Sequence, residues 1–154
     1  TTHPLFLSKT MQDIIVTLND RSSEKRTVIA VPGAANSKYD GEDPRDIDEF
    51  GPPIIADMNP IVSGLTGSYT YAGHWSETPD YLQRRKNALK FFMTNASQEF
   101  RQSVIDEIDP SSSVYAVGPT YGTFGREGKS GFADPESFGE VIVKGNDYVL
   151  VKIR

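Results

Sequence analysis

Thr78-Pro79-Asp80-Tyr81-Leu82-Gln83-Arg84-Arg85-Lys86-Asn87-Ala88-Leu89-Lys90-Phe91-Phe92-Met93 is the stretch on which the fold class turns. Tyr81/Leu82, Arg85, Ala88/Leu89 and Phe92/Met93 recur at helical spacing, and Ala96 extends the row. Thr78 suits an N-cap, Pro79 the first helical position and Asp80 the first turn. Thr94-Asn95-Ala96-Ser97 then reads as a break, because Asn95 or Ser97 can cap a second helix, with one uninterrupted helix as the alternative. In that helix Phe100, Val104, Ile105 and Ile108 form an apolar stripe, and Asp109-Pro110 stops it.

Outward from this block, the chain reads as short strands and turn-rich loops. Met11–Leu18 reads as a strand with Ile14, Val16 and Leu18 on one face. Asn19–Lys25 is polar and loop-like. Arg26–Val31, β-branched at Thr27, Val28, Ile29 and Val31, reads as its hairpin partner. Ser68–Ala72 alternates and predicts a strand with Tyr69 and Tyr71 on one face. Ser113–Val117 is another strand. Gly139–Lys144 and Asp147–Arg154, joined by Gly145-Asn146, predict a type II′ hairpin that ends the chain. The expected fold is therefore α+β: an antiparallel β-sheet, as a small barrel or sandwich, with one or two helices inserted mid-chain.

Two stretches resist such assignment. Pro32–Gly67 is punctuated by Pro32-Gly33, Asp40-Gly41, Asp43-Pro44, Gly51-Pro52-Pro53 and Asn59-Pro60. Gly118–Gly139 is rich in glycine. A structureless loop as long as the first is rare in a compact domain, so it reads as an irregular arm with a job. The 154 residues otherwise fit a single domain.

Composition narrows the function. A net charge of −5 argues against binding to duplex nucleic acid, which normally needs a basic face. Gln83-Arg84-Arg85-Lys86 is the sole basic run and reads as a solvated helix face. With no cysteine there is no disulfide, thiolate metal site or cysteine nucleophile. No run approaches 18 apolar residues, so no membrane-spanning segment is expected. Thr1–Leu7 lacks the basic start and apolar length of a signal peptide; loss of an initiator Met before Thr1 is the simpler account, and a virion or cytoplasmic location is favoured.

Motifs that suggest chemistry are incomplete. Gly125-Arg126-Glu127-Gly128-Lys129-Ser130 resembles a phosphate loop, but Thr123 stands where its first glycine belongs and no long helix follows. Asp40, Glu42, Asp43, Asp46, Asp48 and Glu49 form an acidic cluster whose spacing departs from the twelve-residue calcium loop. His74 lacks a nucleophile motif. Asp57/Glu77 and Asp106/Glu107 are carboxylate pairs of unspecified separation. Asn95-Ala96-Ser97 fits a glycosylation acceptor but falls at a helix junction. No catalytic residue, metal or cofactor is therefore assigned.

What remains is contact. The sequence points to a non-enzymatic structural or assembly protein, most concretely a capsid, cement or tail subunit of a virion. Its partners would be other protein subunits, in a homo-oligomer or larger assembly. Tyr39, Phe50, Ile54, Ile55, Tyr69, Tyr71 and Trp75 are the expected interface residues, since aromatic side chains are enriched in contact hot spots. The alternative is a small ligand-binding module or hydrolase with an aromatic and acidic pocket around Tyr69, Tyr71, His74 and Trp75.

Overall fold

A computed structural model describes residues 7–35, 53–55, 57–73, 79–94, 96–120 and 132–154. Among these the chain is α+β, with four helices and an open five-stranded mixed sheet. Helix α1 spans Lys9–Asp20, α2 Asn59–Thr66, α3 Tyr81–Phe91 and α4 Gln98–Asp106. The strands are β1 (Arg26–Ala30), β2 (Ala34–Ala35), β3 (Pro53–Ile55), β4 (Tyr69–Thr70), β5 (Ser113–Pro119), β6 (Glu140–Lys144) and β7 (Tyr148–Lys152). The main sheet runs β4-β1-β5-β7-β6, and β2 pairs with β3 separately.

The first correction concerns Met11–Leu18, which is helical. Met11, Ile14 and Leu18 are buried, whereas Val16 is 57% exposed. That is a helical stripe, not strand alternation. Ser8 starts the helix by accepting a hydrogen bond from Met11 N at 3.2 Å. There is thus no hairpin between this segment and β1.

The second correction concerns strand direction. In the main sheet β1 runs parallel to both β4 and β5, whereas β5–β7 and β6–β7 are antiparallel; the separate β2–β3 pair is also antiparallel. The sheet is open rather than a closed barrel. Parallel strands need crossovers, and helices supply them: α2 leads from β1 to β4, while α3 and α4 lead from β4 to β5. All five residues of β1 are buried. Such burial follows when helices cover both faces of a strand.

The two faces can be told apart on β5. Tyr115 meets Arg21 and Glu24 beside the end of α1. Gly118, three residues on and so on the other face, lies against the Phe92 ring at the end of α3. Phe92 packs edge-on to Phe91, with ring centroids 5.4 Å apart, and Phe138 of the 3-10 turn Pro135–Phe138 joins them.

The break between α3 and α4 falls where the sequence predicts. Ser97 Oγ accepts from Phe100 N at 3.0 Å. α3, however, begins after Asp80 rather than Thr78, which lies outside the described residues. α2 sits inside the 32–67 stretch, with Pro60 in its first turn and Gly67 closing it at φ 64°. Met58 and Val62 of that stretch are core residues.

The C-terminal hairpin forms, with one change. Its connection is Gly145-Asn146-Asp147, one residue longer than a two-residue turn. β7 is also not an edge strand, because it lies between β5 and β6. The exposed edges are the two-residue β4 and the bulged, charge-flanked β6.

Candidate functional site at the carboxyl ends of the parallel strands

β1 sends its chain to β4 on one side, and the chain then returns past β1 to β5 on the other. In open α/β sheets such a reversal leaves a crevice outside the carboxyl ends of the strands, where ligands bind. The described residues there are Ala30–Gly33 after β1, Tyr71–Gly73 after β4, and Thr120 after β5. Asp57, Met58 and Asn59 join them at the start of α2.

β4 stops at Thr70, so its ladder with β1 ends early. Tyr71 N donates to Val28 O at 3.0 Å, and Met58 N to Val31 O at 3.1 Å. Between these bonds Asn59 Nδ2 approaches Ala30 O at 3.4 Å and donates to Asp57 Oδ1 at 2.9 Å. Asp57 Oδ1 also accepts from Asn59 N at 3.0 Å. Both donors of the Asn59 amide are therefore directed at oxygens, which fixes which end is Oδ1. Asn59 is 2% exposed, and among the described residues none donates a hydrogen bond to its Oδ1. An unsatisfied buried acceptor costs about 1–3 kcal/mol.

α3 flanks these strand ends from the other face of the sheet. Arg85 is buried, and its Nη2 donates to Gly33 O at 2.9 Å. Arg84 Nη1 donates to Tyr71 O at 3.1 Å, and its guanidinium lies 5.0 Å from the Tyr71 ring centroid. The run 83–86 is thus only partly a solvated face: Gln83 is exposed, whereas Arg84 and Arg85 are used internally. Arg85 falls on the apolar stripe with Ala88 and Leu89, so its inward position was legible in the spacing.

Tyr71 is buried in the chain's own core. Its hydroxyl donates to Glu107 Oε2 at 2.7 Å and accepts from Asn87 Nδ2 at 3.4 Å. Burial, opposed in part by Asn87 and reinforced by Glu107, pushes its pKa up to about 12. The phenol stays protonated at neutral pH and acts as a donor that pins β4 to α3 and α4. Tyr69, by contrast, is 67% exposed. The two tyrosines do not share a face, because the strand ends between them.

A second polar cluster lies toward the amino end of β5. Tyr115 donates to Glu24, Arg21 Nη1 donates to Tyr115 Oη at 3.1 Å, and Lys152 stands 4.0 Å from Glu24. Burial would raise the Glu24 pKa, but the bonds from Tyr115 and Ser113 and the charges of Lys152 and Arg21 outweigh it and lower it. The members of this cluster satisfy one another, so it ties α1 to the sheet.

Of the other expected residues, Tyr39, Phe50, His74 and Trp75 lie outside the described residues, as do the acidic cluster 40–49 and the glycine loop 125–130. Ile54 and Ile55 belong to β3. Among the described residues no group of three His, Asp or Glu side chains is placed to hold a metal ion, and no helix is long and apolar enough to cross a membrane. Comparison with known proteins gives no matching family model, no matching curated protein and no matching solved structure.

Proposed function

We propose that this chain is a small-ligand-binding domain whose site is the crevice at the carboxyl ends of β1, β4 and β5. The observation that carries this reading is Asn59 Oδ1, a buried acceptor without a donor among the described residues, at the point where the strand order reverses. Such a group discriminates strongly in favour of a ligand that brings an N–H or O–H to it. The proposal is of binding rather than catalysis. The test is a thermal-shift screen of the full chain against mononucleotides, monosaccharides and amino acids. At least one class should raise the melting temperature, and Asn59→Leu should abolish the rise while the variant still melts cooperatively. A screen without a stabilising ligand, or one whose hits ignore Asn59→Leu, refutes the reading.

A second reading, assembly through protein contacts, keeps one observation in its favour. Val16, Leu65 and Tyr69 are exposed apolar or aromatic side chains. They lie on neighbouring elements, since Asn19, one turn from Val16, donates to Leu65 O at 3.1 Å. Pairing through the chain-terminal strand no longer supports it, because β7 is internal. Under this reading the protein is a subunit of a larger particle such as a virion. Native mass spectrometry should then show an oligomer that Tyr69→Asp disperses; a monomer at all concentrations removes it.

A further inference from the structure

Away from the strand ends, a cleft of about 220 Å³ opens between α4 and the Pro135–Phe138 turn. We propose that it binds a small organic carboxylate with an apolar body. Phe91, Ile105 and Phe138 supply an apolar wall, and Gln98, Gln102 and Ser137 supply polar lining.

The deciding residue is Arg101, which lines the same cleft. Its Nε donates to Phe91 O at 2.8 Å and its Nη2 to Met93 O at 2.7 Å. Its Cζ lies 4.8 Å from the centroid of the Phe138 ring. These contacts occupy the side of the guanidinium formed by Nε and Nη2. They leave the Nη1/Nη2 edge, the fork that grips a carboxylate with two parallel hydrogen bonds, without an acceptor among the described residues. No carboxylate of the described residues pairs with Arg101. Nearby acids are engaged elsewhere: Glu136 with Lys144, and Asp106 with Gln102. Burial already disfavours the charge on Arg101. A partly buried cation held rigidly by backbone carbonyls, beside an aromatic wall, is preorganised for one negative charge.

The chemistry selects among anions. Phosphate lacks an apolar body for the wall of Phe91, Ile105 and Phe138. As a dianion it also calls for more positive charge than one guanidinium, with Glu99 one residue from Gln98. A monovalent carboxylate on a flat apolar frame matches both halves of the cleft. The site shares no residue with the crevice at the strand ends, so the two proposals stand or fall separately.

The probe is benzoate, titrated into the ¹⁵N-labelled full chain, with benzyl alcohol and inorganic phosphate in parallel. Benzoate should shift the Arg101 Nε–H and the amides of Gln98, Gln102 and Ser137 along one saturable curve in the low millimolar range. Benzyl alcohol and phosphate should bind at least about tenfold more weakly, lacking respectively the charge and the apolar body. Arg101→Lys should weaken benzoate about tenfold by removing the fork. Because Arg101 also holds two backbone carbonyls, Gln98→Glu provides the second variant: an acid in the first helical turn is well tolerated there, yet places a like charge in the cleft. It should weaken benzoate about tenfold with the spectrum otherwise preserved. Absence of a saturable shift at Arg101, equal response to benzyl alcohol or phosphate, or unchanged benzoate binding in Gln98→Glu each overturns the proposal.

Discussion

Gly118→Ala tests how the glycine at the end of β5 sets the packing beneath the crevice. A Cβ at this position would stand 2.5 Å from Phe92 Cε1 and 2.6 Å from Cδ1. Carbon contacts prefer about 3.5–4.0 Å, so the ring would have to retreat by roughly 1 Å. It has little room, since Phe92 is fully buried between Phe91 and Phe138. Overpacking of this kind costs about 1–3 kcal/mol. Against it stands a gain of about 0.4–1 kcal/mol from restricting the unfolded chain. The net expectation is a loss of about 1–2 kcal/mol. Urea unfolding reads this as a lower midpoint at unchanged slope. Phe92→Leu, which forfeits aromatic pairings worth about 0.5–1.5 kcal/mol each, should relieve the clash, so the double variant should be more stable than the sum of the singles by about 1 kcal/mol. A midpoint for Gly118→Ala at or above wild type, or strict additivity in the double variant, would show that the ring is free to move and refute the packing argument.

Val149→Asp places a carboxylate at a position buried on an internal strand and should cost several kcal/mol, enough to abolish cooperative melting by circular dichroism; an unchanged melt would mean that this face is wet. Gly64→Ala and Gly67→Ala should move stability in opposite directions, although an added Cβ meets nothing within 4 Å at either site. The first removes a helix-interior glycine and should gain about 0.5–1 kcal/mol, while the second forces alanine to φ 64° and should lose about 1 kcal/mol, so equal signs in chemical denaturation would refute the assignment of Gly67 as the C-cap. Lys25 and then Ser111 hold the Asp109 carboxyl well below its usual range. A depressed folded pKa gives stability that is full above the unfolded value, about 4, and fades as pH falls toward the folded value. Asp109→Asn should therefore flatten the acid limb of a melting-temperature profile, and an unaltered limb would rule the pair out as its source.

The antiparallel expectation traces to one ambiguous octet. In Met11–Leu18, Ile14, Val16 and Leu18 satisfy a period of two, while Met11, Ile14 and Leu18 satisfy a helical period. β-branched Ile15, Val16 and Thr17 favour the strand reading by propensity. The helix prevails through tertiary burial of its stripe and the cap from Ser8, whose three-residue spacing to Met11 was legible. Once that segment is a strand, β1 acquires a false hairpin partner and its parallel pairings with β4 and β5 are missed. Val28-Ile29-Ala30-Val31 and Val114-Tyr115-Ala116-Val117 carried the opposite signal: unbroken apolar runs mark strands covered on both faces, which parallel strands with helical crossovers require. The capped break before α4 and the C-terminal pair of strands were readable because their determinants are local.

Direction also decides where a site can form. In an antiparallel meander, consecutive loops alternate between the two ends of the sheet, so the aromatic segment 69–75 had to frame a pocket with little support from other loops. With β1, β4 and β5 parallel, the segments that follow all three strands emerge at one end. The described parts of those segments bring Gly33, Asn59 and Tyr71 to that end, where α3 reaches Gly33 and Tyr71 through Arg85 and Arg84. Arg85 could be placed inward from its stripe. Asn59 could not: in sequence it is half of an Asn-Pro turn signal, and its significance rests on Ala30 O, 29 positions away, and on a β4 too short to occupy that carbonyl. Had β4 continued, its backbone would have taken that bond and the Asn59 amide would have no reason to be buried. The short edge strand and the unsatisfied acceptor are thus one feature, and it is on this feature that the proposed binding crevice rests.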